Sequence, residues 1–170
     1  TDDRGAIIDG AQIRDIFVVY KTHSIYIMRL VGGIGVMRVD KVQVNSGLLA
    51  KNCVIESKGR HFVVADGDIV LFDGQNLESI ADKRVKDTIF NNIDTVSFDN
   101  TYVVRDDRNH EIWVCYPSIG QTYSNRAAIW NWEDNTWAYR ELTNTRHISA
   151  GVANCVASPT WDTLINPQNN

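Results

Sequence analysis

Apolar residues occur along the chain in short runs separated by polar turn residues. Residues 112–116 (IWVCY) and 127–132 (AAIWNW) are too short and too rich in aromatic residues for helices, so they predict strands. Residues 133–135 (EDN) form a tight turn, because Asp and Asn tolerate positive φ and bond to their own backbone. Residues 136–142 then alternate again. This stretch predicts a meander of consecutive antiparallel strands, and it holds four of the five tryptophans.

The same pattern recurs twice upstream. FVVYKTHSIYIM at 17–28 aligns with FVVADGDIVLF at 62–72, and more loosely with the runs at 112–117 and 127–132. The offset between successive copies is about 45–50 residues, the period of β-propeller blades. We therefore expect an all-β protein of antiparallel four-stranded meander repeats, arranged as the blades of a partial propeller or of a propeller fragment.

The repeats divide the chain into units of approximately residues 7–45, 50–80 and 95–142, with the start of a further unit at 147–165. Together they predict a single β-propeller-like region over residues 1–170. Three units do not close a ring, because propellers have about four to eight blades. The chain is then an arc of a larger propeller, or it completes a ring with other chains.

One stretch interrupts the rhythm of strands. Val85, Ile89 and Ile93 recur every four residues, and Asp82 can cap a helix start. This spacing predicts one short amphipathic helix near 83–93. Its exposed side carries basic residues, which form either a solvated face or a docking surface for an acidic partner. Those basic residues are Lys83, Arg84 and Lys86.

A second candidate contact surface lies in the third unit. Residues 117–125 separate a strand ending at Tyr116 from a strand that starts at Arg126. A hairpin does not need so long a connection, and long loops on rigid β scaffolds often bind partners. Ile119 and Tyr123 either contact a partner there or fold back onto the edge of their own unit. The candidate partner-contact residues are therefore Ile119, Tyr123, Lys83, Arg84 and Lys86.

The strand assignments also predict a core. Nine apolar side chains are expected to be largely buried: Phe17, Val19, Phe62, Val64, Ile69, Leu71, Trp113, Ile129 and Trp137. Three cysteines, Cys53, Cys115 and Cys155, are widely spaced and contain no CxxC pair. This arrangement favours buried thiols in a reducing compartment over a disulfide framework or a zinc site.

Charge and composition exclude some classes of function. The net charge of −4 argues against a protein that coats nucleic acid by neutralising phosphates. The sequence has no apolar run long enough to span a bilayer, and its first apolar stretch lacks the basic flank of a secretory signal. We expect a protein that has no membrane partner.

The sequence contains no catalytic constellation. Asp66 and Asp68, and the acidic and amide residues at 106–111, lack the spacing of a calcium loop and are typical of hairpin turns. No GxSxG motif is present. The four histidines are predicted at turns or strand edges, without HxxxH spacing: His23, His61, His110 and His147. We expect no enzymatic activity, no cofactor and no bound metal.

Two families share features with this sequence. SNRAAIWNWEDNTWAYREL at 124–142 resembles the strand–turn–strand of kelch-type blades. GRHFVVADGDIVLFDGQNLESIADKRVKDTIFNNID at 59–94, followed by the EIWVCYPS and AAIWNWEDNTWAYREL stretches, is similar to structural proteins of short-tailed bacteriophages, of the tail hub or nozzle kind. The similarity covers roughly residues 50–145.

The phage resemblance implies a virion protein made in the host bacterial cytoplasm and located in the tail or neck. Such a protein builds a β-propeller around the DNA exit channel, within a ring of copies below the portal. Its partners would be copies of itself, a portal or adaptor protein and tail components, and DNA would contact it only in passing. The alternatives are a kelch-like protein-binding adaptor and a fragment of a propeller glycoside hydrolase.

Overall fold

The computed structural model describes residues 5–32, 36–44 and 47–149. Within these ranges the chain forms three antiparallel four-stranded sheets. The first contains β1 (Ile7–Ile13), β2 (Ile16–Lys21), β3 (Ser24–Leu30) and β4 (Met37–Val44). The second contains β5 (Val54–Ser57), β6 (Arg60–Ala65), β7 (Asp68–Phe72) and β8 (Leu77–Ser79). The third contains β9 (Tyr102–Asp106), β10 (Glu111–Tyr116), β11 (Ser124–Asn131) and β12 (Thr136–Thr145).

Each sheet is a meander, because every strand pairs with the next one along the chain. Turn residues with positive φ make the short connections possible: Gly59 and Gly67 in the second sheet, and Asn135 in the turn between β11 and β12. The predicted all-β fold of antiparallel four-stranded meanders with one short helix is therefore confirmed. The predicted further unit at 147–165 lies mostly outside the described residues, and residues 147–149 are not in a strand.

The three sheets meet along their first strands. β1 lies beside β5, and β5 lies beside β9. Hydrogen bonds join these neighbours: the Asn52 amide donates to an Asp9 carboxylate oxygen at 3.0 Å, and the Val103 amide donates to the Asn52 carbonyl at 2.9 Å. The second sheet is consequently enclosed between the other two.

Enclosure of the second sheet explains its composition. Residues 61–65 of β6 and 69–72 of β7 are all buried, so both faces of these strands require apolar residues. Successive side chains point to opposite faces. His61 contacts Tyr20 of the first sheet, whereas Phe62 stacks on Trp130 of the third, with ring centroids 5.6 Å apart.

The flanking sheets bury one face on the second sheet and turn the other away from it. In β2 the inward residues are Val18 and Tyr20, so Phe17 is 43% exposed and Val19 is half-buried. The prediction that Phe17 is buried was wrong, because the run Ile16–Tyr20 is apolar at every position and does not specify which face turns inward. Five of the nine core predictions are confirmed: Phe62, Val64, Ile69, Leu71 and Ile129.

The third sheet has a second, smaller core on its outer face, formed by Tyr102, Cys115, Ala127 and Ile129. Trp113 packs over this cluster and is half-buried, with Arg140 above its ring at 5.6 Å. Trp137 is also half-buried. Both tryptophans were predicted to be buried, and both retain partial exposure. Trp113 lies over this outer cluster, whereas Trp137 packs against the main core beside Trp130, with ring centroids 6.4 Å apart.

Helix α1 spans Lys83–Phe90. The Asp82 carboxylate accepts a hydrogen bond from the Val85 amide at 2.8 Å, as the predicted cap requires. Val85 and Ile89 are buried against the sheets. The helix ends before Ile93, but Ile93 is still buried. A 3₁₀ turn at Phe98–Asn100 leads into β9.

Two of the three cysteines confirm the prediction of buried thiols. Cys53 and Cys115 are free and buried. Burial raises the pKa of the Cys53 thiol to about 12 and that of Cys115 to about 11, so both are protonated and unreactive at neutral pH. Cys155 lies outside the described residues.

His61 is buried within β6, which corrects its predicted position at a turn or strand edge. Its Nε2 lies 3.1 Å from the Gln12 carbonyl, which can only accept, so this nitrogen carries the proton in the neutral ring. Nδ1 therefore accepts from the Tyr20 hydroxyl at 2.7 Å. Burial holds the pKa of His61 below its ordinary value of 6.5.

This histidine predicts acid sensitivity. Between the unfolded pKa near 6.5 and the lower folded pKa, the unfolded chain binds a proton that the folded chain does not. The free energy of unfolding should therefore fall as the pH drops below about 6.5. Urea unfolding at several pH values checks this, with His61→Gln expected to flatten the slope relative to His110→Gln. An equal slope in wild type and His61→Gln would contradict it.

Candidate docking surface

The connection between β10 and β11 presents an exposed isoleucine on a fixed backbone. Ile119 is 68% exposed, and its amide donates to the Asn92 carbonyl at 3.0 Å. Tyr123 is half-buried, with the Arg146 guanidinium 5.2 Å above its ring. β11 begins at Ser124, so the connection is two residues shorter than predicted. Of the two candidate residues in this loop, Ile119 is the one available to a partner.

Asp94 fixes this loop. Its carboxylate accepts hydrogen bonds from the backbone amides of Val96 (2.9 Å), Ser97 (2.8 Å) and Gly120 (2.8 Å). These bonds stabilise the ionised form and lower the pKa of the Asp94 carboxyl. Gly120 has φ +80, a conformation that favours glycine. The loop therefore depends on a charged side chain 26 residues before Gly120.

The segment that follows helix α1 contacts the β10–β11 loop. Ile93 pairs with Ser118 in an isolated β-bridge, and the Asp94 amide donates to the Pro117 carbonyl at 3.0 Å. The segment that follows helix α1 thus runs beside the β10–β11 loop. Val96, which is 85% exposed, lies on this segment. We call the surface formed by residues 91–97 and 117–123 the loop surface.

The basic residues of α1 do not join the loop surface. Lys83 and Arg84 lie in the first turn of the helix, at its far end from Asn92, and are exposed. Lys86 forms an ion pair with Asp68 at 2.8 Å, which fastens the helix to the second sheet.

The sequence analysis did not identify Asp94 as a functional residue. An Asp followed by Val96 and Ser97 in a polar turn is nevertheless a typical side-chain-to-backbone cap.

A second exposed apolar surface was not expected from the sequence. Strand register places Phe17, Met28 and Val39 directly opposite one another across β2, β3 and β4. Leu30 and Met37 pair next to this row and are 70% and 56% exposed. Opposed residues in antiparallel strands share a face. We call these five residues the outer face of the first sheet.

Contiguous exposed apolar side chains on a sheet face are a candidate interaction surface. Most of the exposed large apolar side chains in the described ranges lie on this sheet or on its β3–β4 connection. Tyr26, with Lys21 and Lys41 at 5.6 and 5.9 Å from its ring, borders the patch.

The clustered acidic and amide residues near 66–68 and 106–111 stabilise hairpin turns and contacts close to them. One carboxylate oxygen of Asp106 accepts from the amides of Arg108 and Asn109 and closes the β9–β10 turn. Asp68 accepts from the Ser79 hydroxyl at 2.9 Å, in addition to its ion pair with Lys86. In the part of the chain that the structure describes, no three His, Cys, Asp or Glu side chains are grouped to hold a metal ion.

Comparison with known proteins identifies no relative: no protein-family model matches the chain, and no curated protein matches it. Among the described residues, none of the helices has the length and apolar character needed to cross a membrane.

Proposed function

We propose that the chain forms part of a β-propeller and acts as a non-enzymatic structural protein of a virion, in the tail hub or nozzle through which phage DNA passes. The propeller arrangement in this proposal is carried by the way the three sheets pack. The first strands of three meanders lie side by side, the middle sheet is covered on both faces, and the outer face of the first sheet remains apolar and exposed.

This arrangement is what an arc of propeller blades requires. In a propeller each blade is a four-stranded meander, and each blade covers the face of the next. A further sheet placed on the outer face of the first sheet would bury Phe17, Met28 and Val39 in the way that the second sheet buries Val18 and Tyr20. Copies of this chain or other tail components are the proposed source of that sheet.

The phage assignment rests on the sequence resemblance and fits two further properties. A channel that lets DNA slide should not bind phosphates strongly, and the chain has a net charge of −4. Ile119 provides an exposed contact on a fixed loop for a neighbouring subunit or for a portal or adaptor protein.

The loop surface provides the test of this proposal. We expect Ile119→Asp to abolish ring or tail assembly while leaving the thermal midpoint nearly unchanged, because Ile119 is 68% exposed and makes little contact with its own chain. Light scattering after gel filtration and negative-stain electron microscopy measure assembly. Tyr139→Ala, at an exposed position of β12, is the matched control and should assemble normally.

Normal assembly of Ile119→Asp would exclude the loop surface as the contact. A wild-type chain that remains monomeric at all concentrations and in the presence of portal-type partners would contradict the proposed function and favour the kelch-like adaptor.

A further inference from the structure

A cavity of about 340 Å³ opens where the first and second sheets end at their β2–β3 and β6–β7 turns. Its volume is at the lower end of the range of roughly 300–1,000 Å³ that is usual for small-ligand sites. Its floor is apolar and is made of Leu48, Leu49, Phe90, Ile93 and Phe98. Leu48 and Ile93 are part of the core, so the floor is rigid.

The rim of this cavity is acidic. Asp66 lies on the β6–β7 hairpin beside Gly67, whose φ is +80, and in the described part of the chain no hydrogen bond or ion pair involves the Asp66 side chain. Asp94 lies on the other side and is kept ionised by its three amide donors. Among the lining residues that the structure describes, His23 is the one other titratable side chain, and none is a lysine or an arginine.

The cavity continues into a second one. This neighbour, of about 360 Å³, shares Thr22, His23 and Asp66 with the first cavity. It adds Asp68, whose charge is already balanced by Lys86 at 2.8 Å. The two cavities adjoin at Thr22, His23 and Asp66, and we call them together the groove. An extended segment bound across both cavities would pass from the apolar floor to the Asp66 carboxylate.

We propose that this groove binds a short peptide segment of a partner protein, with one aliphatic or aromatic side chain in the first cavity and a lysine or arginine beside Asp66. The apolar floor is shaped for burial of such a side chain. Two carboxylates, with no cation among the described lining residues of the first cavity, disfavour an acidic segment and favour a basic one. This binding does not depend on the proposed virion function.

The probe is a fluorescein-labelled pentapeptide, Gly-Lys-Phe-Lys-Gly, titrated with the full chain. Two matched peptides separate the contributions: Gly-Glu-Phe-Glu-Gly reverses the charge, and Gly-Lys-Ala-Lys-Gly removes the ring. We expect each to bind at least about fivefold more weakly. Amide chemical shifts in a ¹⁵N-labelled sample should change at Asp66, Gly67 and Thr95, and anisotropy gives the affinities.

Two variants locate the site. Asp66→Lys should weaken the lysine peptide at least about tenfold and remove its preference over the glutamate peptide, whereas Asp134→Lys, in the exposed β11–β12 turn, should change neither. Thr95→Phe places a ring at the mouth of the cavity and should block binding while the thermal midpoint is retained. Absence of binding by all three peptides, equal binding of the lysine and glutamate peptides, or unchanged affinity in Asp66→Lys would each overturn the proposal.

Discussion

Replacing Phe62 with alanine is expected to lower the free energy of unfolding by about 3–5 kcal/mol, as measured by urea unfolding at 25 °C. The Phe62 side chain has no exposed surface and stacks on Trp130 of the third sheet. Its strand is enclosed on both faces, so the neighbouring backbone cannot move into the space that the ring leaves. The loss therefore includes a cavity as well as the lost burial.

Phe17→Ala is the control, because it removes the same type of side chain from the second strand of the preceding meander, at a position that faces away from the second sheet. Its ring is 43% exposed and lies over Gly10, where a Cβ would be 2.8 Å from the ring. We expect a loss of about 1 kcal/mol for the unassembled chain, since little apolar surface returns to water. A comparable cost for both substitutions would mean that Phe17 also belongs to a closed core.

Gly47→Ala is expected to cost about 3 kcal/mol, at the upper end of the usual range for overpacking. A Cβ at Gly47 would overlap the carbonyl oxygens of Thr22 and Lys21. The obstacle is backbone, which cannot rotate away as a side chain can. The Lys21 carbonyl also accepts from the Leu48 amide at 3.1 Å, so displacing it would disturb the contact between the two sheets.

Gly32→Ala provides the control for this position. No heavy atom lies within 4 Å of a Cβ built at Gly32, so the substitution should change the free energy of unfolding by less than about 0.5 kcal/mol. Thermal or urea unfolding measures both variants. A Gly47→Ala protein as stable as Gly32→Ala would show that the segment leading into Leu48 can shift without loss.

The candidate site was only partly accessible from the sequence. Ile119 was identified because a long connection between strands is unusual, and this depends on local length alone. Asp94 was not identified, because its role is to hold Gly120, and nothing in the sequence brings those two residues together. Asp66 was recognised as a turn residue, but its position at the rim of an apolar cavity depends on Leu48 and Phe90 from other segments.

The sequence by itself determined the elements and their order. Turn chemistry and the spacing of apolar residues act over a few positions, so three meanders and a capped helix near 83–93 could be derived without knowledge of packing. The helix itself ends earlier and spans Lys83–Phe90. Burial of both faces of the second sheet was not predicted, because the core residues named for its middle strands, Phe62, Val64, Ile69 and Leu71, all lie on one face.

Only the tertiary structure decided which face of each flanking sheet turns inward. In β2 all of Ile16–Tyr20 are apolar, and a shift of one residue exchanges the two faces completely. Val18 and Tyr20 face inward because this face of β2 packs on the second sheet, where the Tyr20 hydroxyl forms a hydrogen bond with His61. Phe17 is left on the outside for the same reason. The surface available for assembly therefore follows from contacts between residues more than 40 positions apart, and local periodicity does not encode such contacts.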